Sequence, residues 1–154
     1  MTFQNAVEAV NDLSGAYSPG LRALREGDRN RIRCANTRRL SGSVDLDEAL
    51  RRSHPNDPLW DYGIGWTTGA SDQAIWVEVH PASSGHVADV VKKVTWLKEW
   101  LKERATPLLD ITRENKGYVW LASGGVSLQR GSRQARQLAM AGVSFPVEGL
   151  LLGS

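Results

Sequence analysis

Phe3, Ala6, Val7, Val10 and Leu13 recur at the i, i+3, i+4, i+7 spacing that gathers side chains on one helical face, and Ser14-Gly15 follows them. The spacing predicts an amphipathic helix over 3–13. A short second helix is expected next, with Ser18 as its cap, Pro19 in its first turn, Leu21 and Leu24 as its apolar edge and Gly27 as its stop. The segment RNRIRCANTRRLSGSV, residues 29–44, alternates only in fragments and reads as a loop or edge strand. DLDEALRRS, 45–53, carries acids first and arginines last, the order the helix dipole favours, and HPNDP breaks the chain after it.

LWDYGIGW is the first clear strand, and the turn signal TTGASDQ joins it to AIWVEVH, which predicts two antiparallel neighbours. From His86 to Arg104 the residues Val87, Val90, Val91, Val94, Leu97 and Leu101 form one stripe of a long helix. Pro107 closes that region. GYVWLAS then reads as a strand, ASGGVS as a turn, Ser132 to Ala141 as a helix ended by Gly142, and EGLLL as a last short strand. Helices separating the later strands imply an α/β or α+β fold, a mixed sheet flanked by helices, in one domain over 1–154. Its helical N-terminal part spans about 1–28 and its sheet-containing core about 45–154.

With 154 residues, 41% hydrophobic and 23% charged, the chain is long enough to enclose a core without disulfides. No apolar run reaches membrane-spanning length, the start MTFQNAVEAVND lacks the basic-then-apolar order of a secretory signal, and Cys34 stands alone. A cytoplasmic protein with no membrane partner is expected. The net charge of +2 hides an uneven distribution: seven arginines and two acids lie between Arg22 and Arg39, and Arg130, Arg133 and Arg136 have no acidic neighbour before Glu148. Guanidinium groups suit phosphate oxygens, so Arg38, Arg39, Arg130, Arg133 and Arg136 are candidate contacts to a nucleic-acid backbone.

Glu78 and His80 share one face of their strand with Trp76, because side chains alternate across a strand. On the preceding strand Asp61 shares a face with Gly63 and Gly65. If the two strands pair with Asp61 and Glu78 on the same side, two carboxylates converge beside glycines that leave room for a substrate. Hard oxygen ligands of this kind suit Mg²⁺, which takes one or two carboxylates and completes its shell with water and substrate phosphate. His80, with an ordinary pKa near 6.5, would orient or deprotonate the attacking water or contact the phosphate.

An Asp on one strand, Glu-x-Lys on the next and a helix packed on the sheet resemble the PD-(D/E)XK nuclease superfamily over roughly residues 45–125. The resemblance implies an αβββαβ restriction-endonuclease-like core, metal-dependent hydrolysis of phosphodiesters in nucleic acid, Asp61 and Glu78 as metal ligands, and a further acid from an early helix. Glu48 is the nearest candidate for that acid, with Asp45 and Asp47 as substitutes. The chain departs from the pattern in three places. His80 occupies the position of the Lys, no Pro precedes Asp61, and the first strand is not evident unless the arginine-rich stretch supplies it. Lys93, on the flank of the long helix, is the candidate to supply the missing amine.

Trp96 and Trp100 stand four apart beside Lys93 and offer an edge for stacking on bases, for filling a partner's pocket, or for core packing. The second functional class is therefore a non-catalytic interaction protein, an accessory or immunity-like component, on the same scaffold. His54, His80, His86 and Cys34 match no compact zinc spacing.

Overall fold

A computed structural model of the chain describes residues 1–69 and 71–153. In chain order the elements are α1 (Phe3–Glu8), α2 (Glu26–Arg29), β1 (Ile32–Cys34), β2 (Leu40–Asp45), α3 (Leu46–Leu50), β3 (Tyr62–Thr67) and β4 (Asp72–Ala82). They continue with α4 (Val87–Arg104), α5 (Thr106–Asp110), β5 (Tyr118–Val126), α6 (Arg133–Met140) and β6 (Leu150–Leu152). Four strands form a mixed sheet in the order β2-β3-β4-β5, antiparallel at the first two joints and parallel at the third. The parallel joint requires a crossover, which α4 provides. A small parallel pair, β1 with β6, lies apart from it.

Strand alternation sends the two faces of the sheet into two cores. Trp76, Trp120 and Ala122 pack with the buried stripe of α4 (Val87, Val90, Val94, Leu97, Leu101) and with Phe3, Ala6 and Val7 of α1. Tyr62, Ile64, Trp66, Ile75, Val77, Val119 and Leu121 pack on the other side with Leu24, Ile32 and Leu152. Each fully buried aliphatic or aromatic side chain contributes about 1.5–3 kcal/mol of transfer free energy, so the five buried residues of the α4 stripe secure that helix to the sheet. α+β with a mixed sheet is thus the architecture, as the spacing of apolar residues implies. Among the described residues no helix is long and apolar enough to cross a membrane.

Several local expectations are corrected. The predicted helix over 3–13 ends at Glu8; a 3-10 turn over Asn11–Leu13 buries Val10 and Leu13 instead. The second helix does not form at Pro19: Ser18 exchanges both backbone hydrogen bonds with Ser43 (2.9 and 2.8 Å), and Gly27 lies inside the short α2 rather than ending a helix. The arginine-rich stretch, expected as a loop or edge strand, does end in an outer strand of the main sheet, β2. ASGGVS is not a turn, since β5 runs on to Val126 and pairs it with Ala82. Part of the TTGASDQ turn, Ala70, falls outside the described residues, but the antiparallel pairing it implies is present. The helices at 45–53 and 132–141 are α3 and α6, capped by Asp45 and Ser132.

Candidate active site

The β3–β4 register pairs Tyr62 with Val77, which puts Asp61 opposite Glu78 one step further along the ladder. Hydrogen bonds fix the two residues there. The Asp61 backbone N–H donates to Glu78 Oε1 (3.1 Å), and the Val79 N–H donates to Asp61 Oδ2 (2.9 Å). Lys93 reaches in from α4 and donates from Nζ to Glu78 Oε2 at 2.6 Å. Three residues from two strands and a helix therefore meet at one end of the sheet, the end where β3 begins and β4 approaches its finish.

Exposure separates the two acids. Glu78 is 0% exposed and both its oxygens are engaged, whereas Asp61 is half-buried and opens on a cleft of about 190 Å³. The cleft is also lined by Arg25, Asp28, Asp45, Asp47, Tyr62 and Val79. Burial pushes the Glu78 carboxyl up to about 8; the neighbouring charge of Asp61 adds to the rise and Lys93 opposes it. Burial likewise raises Asp61 to about 6, against the Val79 N–H and Lys93, with Asp47 and Asp28 adding negative charge. For Lys93, burial opposes the charge, and Glu78 more than offsets it.

The expected roles of the surrounding residues change in part. Glu48 is exposed and lines a different depression, with Asp12 and Asp45, so the acids that share the cleft with Asp61 are Asp45, the last residue of β2 and cap of α3, and Asp47 on α3. Gly63 and Gly65 leave no room for substrate. A Cβ on Gly63 would meet the Trp76 ring, and one on Gly65 would meet the ring of Phe3. His80 is half-buried on Glu78's face, packed edge-on to His86 (centroids 4.9 Å apart) and near Trp120 (6.3 Å); burial lowers its pKa. His86 in turn shares a 2.7 Å hydrogen bond with Ser83.

The basic and aromatic candidates divide similarly. β5 runs parallel to β4 and finishes beside Ala82, so the segment that carries Arg130, Arg133 and Arg136 leaves the sheet at the end that holds Glu78 and His80. All three are exposed; Arg130 stacks on Phe145 at 4.1 Å and Arg136 donates to the Gly131 carbonyl at 3.2 Å. Arg38 and Arg39 precede Leu40, which pairs with Trp66 at the opposite end of the sheet, about 17–20 Å along β2 from Asp45. Trp100 is buried and donates its indole N–H to Asp12 (3.0 Å); Trp96 stacks on it and takes His54 edge-on. That tryptophan pair is mostly internal packing.

Asp28 and Tyr62 were not legible as site residues. The Tyr62 hydroxyl donates to Asp28 Oδ2 at 2.6 Å, which burial and that carboxylate reinforce by raising the phenol's pKa. Nothing in the sequence signals a contact between residues thirty-four apart. Among the described residues no three His, Cys, Asp or Glu side chains are grouped to hold a metal ion between them. Asp61 and Glu78 still match Mg²⁺ in donor type and number, because that ion takes one or two carboxylates and fills its shell with water and phosphate. Comparison with protein families, curated proteins and solved structures finds no match for this chain.

Proposed function

We propose that the chain is a metal-dependent phosphodiester hydrolase of the nuclease type, acting on nucleic acid. The observation that carries this reading is the convergence of Asp61, Glu78 and Lys93, with the amine 2.6 Å from the buried carboxyl and Asp61 open to a cleft. It is supported by the order of elements. With α2, β1 and α3 as insertions and α5 after the crossover helix, α1, the antiparallel strands β2, β3 and β4, α4 and the parallel β5 fit the αβββαβ order that the nuclease resemblance implies. Lys93 supplies, from α4, the amine that the His80 position lacks.

In this scheme Asp61 and Glu78 would hold Mg²⁺, which when bound would lower the pKa of its water and stabilise charge on the attacked phosphate. Glu78 would hold the ion as a carboxylate, the form that burial opposes by raising its carboxyl to about 8 and that the Lys93 ammonium favours. Lys93 keeps its ammonium at the edge of the site and orients the attacking water. Arg130, Arg133 and Arg136 hold the backbone of the nucleic acid.

One observation favours a second reading, a non-catalytic accessory or immunity-like protein: both Glu78 oxygens are already occupied and its side chain is closed to solvent. Cleavage of labelled single-stranded DNA, duplex DNA and RNA with Mg²⁺, Mn²⁺ or EDTA separates the two. Divalent-dependent cleavage that Asp61→Asn and Lys93→Met each reduce at least a hundredfold, with the fold intact by circular dichroism, supports the hydrolase. No cleavage of any of the three substrates refutes it.

A further inference from the structure

Away from Asp61, a cleft of about 390 Å³ opens between the main sheet and β6. Its floor is apolar, formed by Ile75, Val119 and Leu152, each at most 5% exposed. Phe145 forms a wall. Three cations stand at its rim, Arg113, Lys116 and Arg130, and no acid lines it; Glu114 and Glu148 lie outside. None of the three cations forms an ion pair among the described residues. Cations left unpaired around an apolar depression complement a ligand with an anionic group on one side and a flat apolar body on the other.

The loop that carries two of these cations is held in place. The Ala74 N–H donates to the Ile111 carbonyl (2.8 Å), the Arg113 N–H to the Ala74 carbonyl (3.0 Å) and the Trp76 N–H to the Gly117 carbonyl (2.8 Å), which ties the loop to β4 at both ends. A Cβ on Gly117 would collide with the Arg113 carbonyl, so the turn is closed tightly. Within it Lys116 has φ of 60°, the one non-glycine residue of positive φ among those described. Lysine is an unfavourable choice for the left-handed region, which Gly or Asn occupies with less strain. The turn keeps a charged side chain where conformation alone favours none.

We propose that this cleft takes one nucleotide unit of single-stranded nucleic acid, with its phosphate between Arg113 and Lys116 and its base on the floor formed by Ile75, Val119 and Leu152. The inference rests on nucleic acid being the partner, as in the function proposed above, but not on cleavage. Ile75 lies four residues before Val79 on β4, about 13 Å, so the cleft and the Asp61 site are separate positions on one partner. Arg130, with its guanidinium carbon 4.1 Å from the centre of the Phe145 ring, flanks the phosphate position.

The test is fluorescence anisotropy with a fluorescein-labelled ten-nucleotide deoxythymidine oligomer in EDTA, at several salt concentrations. The double variant Arg113→Ala/Lys116→Gly is expected to bind at least tenfold more weakly and to lower the slope of log affinity against log salt by about 1.4, roughly 0.7 for each contact to a single strand. Lys116→Gly alone should weaken binding while its Tm stays level or rises, an outcome that a purely structural lysine does not give. Thymidine 5′-monophosphate should compete, and inorganic phosphate at equal concentration should not. Unchanged affinity in the double variant, absence of binding by the unaltered protein, or equal competition by phosphate each overturns the proposal. The unaltered protein distinguishes the two claims: binding through Arg113 and Lys116 with no cleavage of any substrate in Mg²⁺ retains the cleft and removes the hydrolase, whereas cleavage with unchanged affinity in the double variant retains the hydrolase and removes the cleft.

Discussion

Glu78 holds a carboxyl where water does not reach, and its pKa sets the direction of the protein's response to pH. The native carboxyls of Glu78 and Asp61 sit at about 8 and about 6, above the ordinary values of 4.5 and 3.8. Between pH 4 and 8 the folded chain therefore binds more protons than the unfolded one. Stability contributed in this way is full at low pH and is lost as pH rises through that window. Urea unfolding should show a fall on the order of 3 kcal/mol from pH 5 to pH 8, and Glu78→Gln should remove most of the slope above pH 6. A flat profile would contradict the buried carboxyl. Lys93→Met removes the ammonium that opposes the rise of the Glu78 carboxyl, so in the same urea series its stability should go on falling above pH 8, where the unaltered protein levels off; an unchanged profile would contradict the pairing. At this scale the sequence was informative. Alternation and antiparallel order were enough to bring Asp61 and Glu78 together, and the helical position of Lys93 was enough to nominate it. Which acids at the start of α3 face the cleft was not legible, since the sides taken by the cap Asp45 and by Asp47 and Glu48 depend on how a five-residue helix leaves the sheet.

The long helix and the β3–β4 pair could be read directly, because each carries its own periodicity: six apolar residues on one face of α4, and a two-residue repeat along β4. The glycines of β3 could not. Their missing side chains suggested space for a substrate, but the space is filled by Trp76 from the neighbouring strand and by Phe3 from α1, about sixty residues away in sequence. Local pattern gives no sign of a neighbour that arrives from so far along the chain. Gly65→Ala should accordingly destabilise the fold by about 1–3 kcal/mol, measured by urea unfolding, because the added methyl displaces the Phe3 ring and with it α1. A neutral result would mean that α1 does not pack as described. The tryptophans of α4 follow the same logic. Trp100 is buried with its N–H on Asp12, so Trp100→Ala should cost about 3–5 kcal/mol in stability rather than selectively remove a binding contact.

Across the whole molecule, charge that looks like two equivalent arginine clusters in the sequence is divided by the topology. Arg133 and Arg136 follow the β5 end that lies beside the Glu78 end of β4, while Arg38 and Arg39 lead into the far end of β2. Binding of nucleic acid at the Asp61 site should weaken several-fold in Arg133→Ala/Arg136→Ala and change little in Arg38→Ala/Arg39→Ala, as read by anisotropy at fixed salt. Equal losses from both pairs would contradict this division. Strand order is legible only as a class, since a one-dimensional pattern fixes neither which strand is outermost nor that β1 leaves the main sheet to pair with β6. The central claim is that Asp61, Glu78 and Lys93 form one hydrolytic site, and it is tested most directly by single-turnover cleavage of labelled nucleic acid by the unaltered protein and by Asp61→Asn, with Mg²⁺ and with EDTA. The account predicts product only from the unaltered protein with Mg²⁺, at matched Tm; product that persists in Asp61→Asn or in EDTA, or none under any condition, would contradict it.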